Sequence, residues 1–278
     1  MTGRATLVRD ADLEPSWDLK RATEPGFLRT LTTWVGGPEG YINSNLTASV
    51  QSKRCAVGLM RMPVGNRQPG VHVHSITEIY VILKGEVESF DGLGRKHRAG
   101  PLDCLYIPAG VPHGVQAVGN DDLELIWLHD DIEKQGVSMY LEGEGPYPTD
   151  GEVSLVTFDE LRARGRESRF EGPRQANWVG GPQGYVNHSR GIAAESTRIS
   201  VGLTELPPRT TARSHRHSAA EIYIVLAGSG SIESEGEIFK LGPLDAIHFP
   251  AGNMHALSNP ADEPLLVMWV HEAPQHLA

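Results

Sequence analysis

His72-Val-His74-Ser-Ile-Thr-Glu78, followed by Gly85, and its second copy His215-Arg-His217-Ser-Ala-Ala-Glu221, followed by Gly228, decide how this chain folds. In a strand, residues two apart point to the same face, so His72 projects with His74 and His215 with His217. Three residues then turn the chain, and the glutamate enters the next strand. A fourth donor follows in each copy, within Pro108-Ala-Gly-Val-Pro-His113 and Pro250-Ala-Gly-Asn-Met-His255. The expected metal ligands are therefore His72, His74, Glu78 and His113 in one set and His215, His217, Glu221 and His255 in the other. Six of the chain's twelve histidines fall on these spacings, which makes a set of unrelated polar residues the weaker reading. A β-barrel is the simplest scaffold for such a set, because inward positions on neighbouring strands converge on its interior. Four N/O donors leave coordination positions free for water, oxygen or substrate. One divalent ion per copy is expected, two per chain, with Fe(II) placed first. Mn(II), Ni(II) and Zn(II) stay open, since donor softness does not choose among them.

The duplication extends well beyond the ligands. Trp34-Val-Gly-Gly-Pro-Glu-Gly-Tyr41-Ile-Asn43 recurs as Trp178-Val-Gly-Gly-Pro-Gln-Gly-Tyr185-Val-Asn187, and Val57-Gly-Leu59 as Val201-Gly-Leu203. Leu-Ile-Trp127-Leu-His129-Asp recurs as Val-Met-Trp269-Val-His271-Glu, and even the openings, Thr6-Leu-Val and Ser154-Leu-Val, match loosely. Self-similarity at so long a period outranks local secondary-structure signals. Two homologous domains follow, 1–148 and 149–278, divided in the Gly/Pro/acid-rich stretch around Leu141–Gly151. Within each, runs such as Glu78-Ile-Tyr-Val-Ile-Leu-Lys84 and Glu221-Ile-Tyr-Ile-Val-Leu-Ala227 are strand-length and turn-bounded, which predicts an all-β sandwich or barrel. Short helices are expected only at 157–166 and near Asp10–Arg21, and the last strand ends near Glu272.

Composition narrows the partners. An apolar fraction of 39% with 22% charged residues is that of a globular protein. No run approaches the roughly 18 apolar residues of a membrane helix, and the start lacks a signal-peptide core. The formal charge of −10 argues against nucleic acid, which needs a basic surface. Cys55 and Cys104 lie in apolar runs and read as small buried thiols of a reducing cytoplasm. A small-molecule substrate is the expected partner, and a homo-oligomer is admitted.

Gly70-x-His72-x-His74-x3-Glu78-x6-Gly85 with Gly100-x7-Pro108-x-Gly110-x2-His113 resembles the two signature motifs of the cupin superfamily, and the second copy repeats both, ending in Gly242-x7-Pro250-x-Gly252-x2-His255. The leading glycine is close to the histidines in copy one and missing in copy two, and the second motif is two residues longer than its commonest form. Neither departure touches a ligand. The resemblance implies a bicupin, two tandem double-stranded β-helix (jelly-roll) barrels, each holding one divalent metal through three histidines and one glutamate.

Other candidates follow from strand parity. Tyr80 and Tyr223 lie two residues after the glutamates and share their inward face, where a phenol could orient substrate or pass a proton; packing on the barrel floor is the plainer alternative. His129 and His271 alternate with Trp127 and Trp269 and could donate to a substrate anion, unless they are strand-end histidines facing solvent. The Trp-Val-Gly-Gly element reads as a structural turn beside each barrel, with Asn43 and Asn187 as its pocket candidates. The two pockets are expected to differ at Cys104/Ala246, Tyr106/His248, Gln116/Ser258 and Arg61/Glu205. The expected function is a mononuclear non-haem metal-dependent dioxygenase acting on a small oxygenated or aromatic substrate. The alternatives are a redox-neutral isomerase, lyase or decarboxylase, or a non-catalytic small-ligand-binding bicupin. Oxalate-decarboxylating bicupins would place an arginine three residues before the first histidine, where Pro69 and Ala212 stand.

Overall fold

Short aromatic and β-branched runs between turns suit half-buried pleated surfaces, and strands accordingly dominate. The computed structural model describes residues 3–16, 20–37, 50–132, 139–141, 146–164, 166–167, 173–185 and 194–273. Among these, the one α-helix is Phe158–Arg164, as the sequence predicts, whereas the stretch near Asp10–Arg21 yields a 3-10 turn at Asp10–Asp12.

The chain divides into two compact units, Leu13–Phe158 and Met1–Asp12 with Asp159–Ala278. Each is a jelly-roll of two sheets. In Leu13–Phe158 the larger sheet runs Ser154–Val156, Cys104–Ile107, Glu78–Lys84, Leu123–His129, Ala56–Met62, Thr30–Gly36 and Val50–Gln51. The smaller runs Met139–Tyr140, His72–Val73, His113–Val118, Glu86–Asp91 and Lys96–Ala99. Inward side chains of both fill one core, among them Met60, Tyr80, Leu105 and Trp127 from the larger and Val87, Ala99 and Val115 from the smaller. The other unit repeats the plan. Its larger sheet centres on Ala246–Phe249, Glu221–Ala227, Leu265–His271 and Ser200–Leu206, and its smaller holds Thr210–Thr211, His255–Asn259, Gly230–Ser234 and Glu237–Leu241.

A division at 148/149 follows the sequence repeat, whereas packing follows main-chain pairing. Thr6–Val8 pairs with Ala246–Phe249, and Ser154–Val156 pairs with Cys104–Ile107. The two matching openings thus make equivalent contacts, each on the barrel built by the other repeat.

The repeated Val-Gly-Leu and Trp-x-His elements explain each other. Trp127 stands directly opposite Gly58, and Trp269 opposite Gly202. A Cβ on Gly58 would lie 2.5 Å from Trp127 Cζ2 and 2.0 Å from Thr32 O; one on Gly202 would lie 2.2 Å from Trp269 Cζ2. Each glycine therefore leaves the space in which an indole lies flat against the strand. The Trp-Val-Gly-Gly element differs from expectation. Trp34 and Trp178 are fully buried and belong to the strands Thr30–Gly36 and Arg174–Gly180, so the turn in the second copy begins only at Pro182, whose carbonyl accepts Tyr185 N at 3.2 Å. Asn43 and Asn187 lie outside the described residues.

Because backbone as well as ring atoms crowd these glycines, Gly58→Ala and Gly202→Ala should each cost about 1–3 kcal/mol, the range for overpacking. Gly100→Ala, where the nearest atom to a new Cβ is 3.9 Å away, should stay within about 0.5 kcal/mol of the parent. Denaturant midpoints measure both, and equal losses at Gly58 and Gly100 would refute the packing account.

Candidate metal centres

Two cross-strand pairs frame each centre. In the smaller sheet of the first unit His113 stands opposite His72, and in the larger sheet His129 stands opposite Glu78. The second unit repeats this with His215 opposite His255 and Glu221 opposite His271. His74 and His217 come from the turn that links the two sheets. That turn is pinned to the strand end in both copies. Thr77 N donates to Asp130 Oδ1 at 3.0 Å, and Glu272 N donates to Ala220 O at 3.0 Å. The acid that closes the repeated Trp-x-His element thus locates the ligand-bearing turn.

The ligand atoms of His72, His74, Glu78 and His113 lie within 4.8 Å of one another, as do those of His215, His217, Glu221 and His255. Their protonation can be read from the backbone. His74 Nδ1 faces Ile76 O at 2.7 Å and His113 Nδ1 faces Val111 O at 2.8 Å. His215 and His255 do the same toward Arg213 O at 3.0 Å and Asn253 O at 3.2 Å. A carbonyl only accepts, so each Nδ1 carries a proton and donates, and Nε2 is the ring atom turned toward the carboxylate. Those nitrogens face carboxylate oxygen. His74 Nε2 and His113 Nε2 stand 3.1 and 2.9 Å from Glu78 Oε2, and His217 Nε2 and His255 Nε2 stand 3.3 and 3.0 Å from Glu221 Oε2. In the second centre these three atoms are close yet misaligned for hydrogen bonding, and all are buried without such a partner, as is His72 Nδ1 in the first. A bound cation would replace the ring protons between these atoms. Three imidazole nitrogens and one carboxylate oxygen fit a divalent transition metal.

The other carboxylate oxygen is already engaged. His129 Nε2 donates to Glu78 Oε1 at 3.2 Å, and His271 Nε2 donates to Glu221 Oε1 at 2.9 Å. Both histidines are buried, at 6% and 7% exposure, so neither is a solvent-facing strand end. Each holds one oxygen of the glutamate and turns the other toward the ligand cluster. Burial works against the charge on Glu78, but hydrogen bonds from His113, His129 and His74 outweigh it and hold its pKa well below the usual value. Glu221 is lowered in the same way, against burial, chiefly by His271. Burial depresses His72 and, less strongly, His129 and His215, which favours their neutral form.

Tyr80 and Tyr223 lie inward as expected, opposite Trp127 and Trp269. Their rings are 6.5 Å from His113 and 5.7 Å from His255. Burial, then the neighbouring Glu78 or Glu221 charge, raises both phenols well above their usual pKa, so each can donate a proton but is no base near neutral pH.

The lining differs from the sequence expectation. Cys104 and Tyr106 pair with Val81 and Ile79, on the strand face opposite Tyr80 and Leu105, and Ala246 and His248 pair likewise with Ile224 and Ile222. Gln116, Ser258, Arg61 and Glu205 also share the face away from the core, since Val115, Leu257, Met60 and Thr204 beside them point inward. Directly opposite residues share a face, and that register places all four pairs outside the pockets. The inward differences are others. Gln68, which hydrogen-bonds Tyr80, gives way to Ala212, and Ile107 to Phe249, stacked on His255 at 4.1 Å. Arg29 and Tyr140 belong only to the first centre; Tyr140 packs 5.2 Å from His72, and Pro173 stands at the repeat position of Arg29. A position that breaks the repeat was the signal for Arg29. The centres also differ in exposure: all four first-unit ligands are buried, whereas His215 and His217 are half-buried.

Known proteins share parts of this chain. A 5-nitrosalicylic acid 1,2-dioxygenase from Bradyrhizobium is 31% identical over 112 residues, 40% of this chain and 54% of that protein. A dimethylsulfoniopropionate lyase from Ruegeria pomeroyi is 34% identical over 93 residues, covering 34% and 46%. A 1-hydroxy-2-naphthoate 1,2-dioxygenase from Nocardioides is 25% identical over 234 residues, covering 73% and 59%. The chain thus spans about half the length of the curated relatives it matches. Oxalate decarboxylase from Bacillus subtilis shares the fold, with a TM-score of 0.64 at 17% identity over 100% of this chain and 78% of that one. The Cupin domain model matches residues 58–129 and 202–271, the segments that carry both ligand sets, and the chain belongs to the cupin family, with two such domains in tandem.

Proposed function

We propose that this cupin enzyme is a mononuclear non-haem metal-dependent dioxygenase acting on a small oxygenated or aromatic substrate. The observation that carries the reading is the donor set itself, three imidazoles and one oriented carboxylate oxygen at each centre. A bound Fe(II) would supply sites for a substrate oxygen and for dioxygen, and a path for electrons between them. The 5-nitrosalicylic acid and 1-hydroxy-2-naphthoate enzymes lend support by similarity over part of the chain. His72, His74, Glu78 and His113, with their counterparts His215, His217, Glu221 and His255, would hold the ion. His129 and His271 act as positioning residues through the glutamates. The protonated Tyr80 and Tyr223 hydroxyls would orient substrate or give a proton to a developing oxyanion.

A redox-neutral reading draws on the lyase similarity and on the fold shared with oxalate decarboxylase, whose Mn(II) centres are known. It would use the same ligands for Lewis-acid chemistry and the same phenols as proton donors.

Loading with Fe(II), Mn(II) or Zn(II) should give about two equivalents per chain by elemental analysis. His74→Ala and His217→Ala should each leave about one. The half-buried second centre should lose its metal to a chelator first, so that release is biphasic and the fast phase vanishes in His217→Ala. A fast phase that survives in His217→Ala and disappears in His74→Ala would reverse the assignment.

His129→Leu removes the donor that steers Glu78. Metal affinity at the first centre should fall about 10–100-fold, as for outer ligand partners elsewhere, with the second centre unaffected. Unchanged affinity would mean that Glu78 is oriented by its strand alone.

Oxygen uptake separates the two chemistries. Fe(II)-loaded protein given aromatic hydroxy acids, diketones or catechols should consume oxygen with product, and turnover that continues under argon would favour the redox-neutral class. Tyr80→Phe or Tyr223→Phe in the active unit should lower turnover by about 10²–10⁴-fold with metal content intact, the range for a lost general acid. Full activity in both variants would leave the phenols as packing.

A further inference from the structure

Arg29 is a buried cation with no carboxylate partner among the described residues. It is 3% exposed and stands immediately before the strand Thr30–Gly36. Its Nη1 donates to Phe27 O at 2.9 Å and its Nη2 to Lys20 O at 2.7 Å, both neutral backbone acceptors. Its remaining interactions are with phenols: it hydrogen-bonds Tyr140 and lies within electrostatic reach of Tyr80. Tyr140 in turn packs on the metal-ligating edge, its ring 5.2 Å from His72, and the Lys20 ammonium sits 4.7 Å from the centre of that ring. Taking a guanidinium out of water is costly unless an anion compensates, and two carbonyls and a phenol do so only in part. A planar guanidinium also has a fork of donors matched to a carboxylate.

The second unit lacks this device. Pro173 holds the repeat position of Arg29, and Ala212 that of Gln68. Arg213 and Arg216 flank its ligands but are exposed, where water and salt screen their charge.

We propose that Arg29 is the substrate-anion receptor of the first centre: it takes a carboxylate of a substrate whose other oxygen reaches the ligand cluster at His72, with the Tyr140 hydroxyl as its placeholder. The first unit is then the one that selects small organic acids, and the second takes neutral ligands or none. This deepens the dioxygenase reading by naming the substrate class, but the binding step itself needs no oxygen.

The test uses salicylate and its uncharged amide, salicylamide, titrated into Zn(II)-loaded full-length protein under argon and followed by calorimetry. The parent should bind salicylate at least about 10-fold more tightly than salicylamide, one molecule per chain. Arg29→Met should bring the ratio close to one with two zinc equivalents retained, and Arg29→Lys should keep part of the preference. The preference should survive His217→Ala and vanish in His74→Ala. If Arg29→Met does not fold, Arg29→Lys decides, since a carboxylate fork predicts a measurable fall in the ratio even with charge preserved. An unaltered ratio in the Arg29 variants, no preference in the parent, or a preference that follows His217 overturns the proposal. Failure of oxygen uptake with these results intact would instead reject the dioxygenase reading.

Discussion

A buried carboxylate whose two oxygens serve different partners organises each half of this protein. Glu78 gives Oε1 to His129 and Oε2 to the ligand cluster, and Glu221 divides itself in the same way between His271 and its own cluster. Neither glutamate would be stable as a lone anion in a barrel interior, where desolvation raises the cost of charge. Three imidazoles at hydrogen-bond distance offset that cost and keep the carboxylate ionised. The arrangement demands that two sheets present their donors at one level. Register supplies this, through His72 opposite His113 in one sheet and Glu78 opposite His129 in the other. The turn carrying His74 then closes the set, and Asp130 fixes that turn.

Much of this was legible in the residues. The His-x-His spacing and the later Pro-x-Gly-x-x-His pointed to the candidate ligands, because strand parity and sequence repetition agree, and the structure brings both sets together. The pairing of Val-Gly-Leu with Trp-x-His was visible as repetition but not as contact, since only the sheet order puts Gly58 under Trp127. Parity failed where its starting point was uncertain. Cys104 and Tyr106 alternate as well as Leu105 and Ile107 do, and a shift of one residue exchanges core for surface. His129 posed the opposite problem. A histidine at a strand end reads as exposed until the facing strand is known to deliver a glutamate to it. The opening strands were legible as a pair, Thr6-Leu-Val and Ser154-Leu-Val, but not which sheet each would join.

Duplication preserves whatever the ligand frame needs and releases the rest. The ligands, the orienting histidine, the inward tyrosine, the indole and its facing glycine are the same in both halves. Positions one step further out are not. Phe249 lays a ring flat on His255, where the first unit has Ile107, and Gln175 bonds Thr204 where the first unit has Leu31 and Met60. Such changes leave the donor atoms in place while altering polarity and room beside them, which is how one frame can serve different ligands.

Burial then decides what an added charge is worth. The same guanidinium contributes little at a wet rim and several times more in a closed, low-dielectric site. The first centre is closed over all four ligands and carries Arg29 inside; the second is open at His215 and His217 and carries its arginines in water. A divalent ion offset by one glutamate would leave a positive field in either centre, but among the described residues only the first has a desolvated arginine beside its ligand edge. Selectivity for an acid over its neutral analogue should therefore arise in the first unit, where binding the neutral analogue leaves a buried donor unpaired and so costs most. The half-buried second unit would gain faster exchange from its exposure and give up that discrimination.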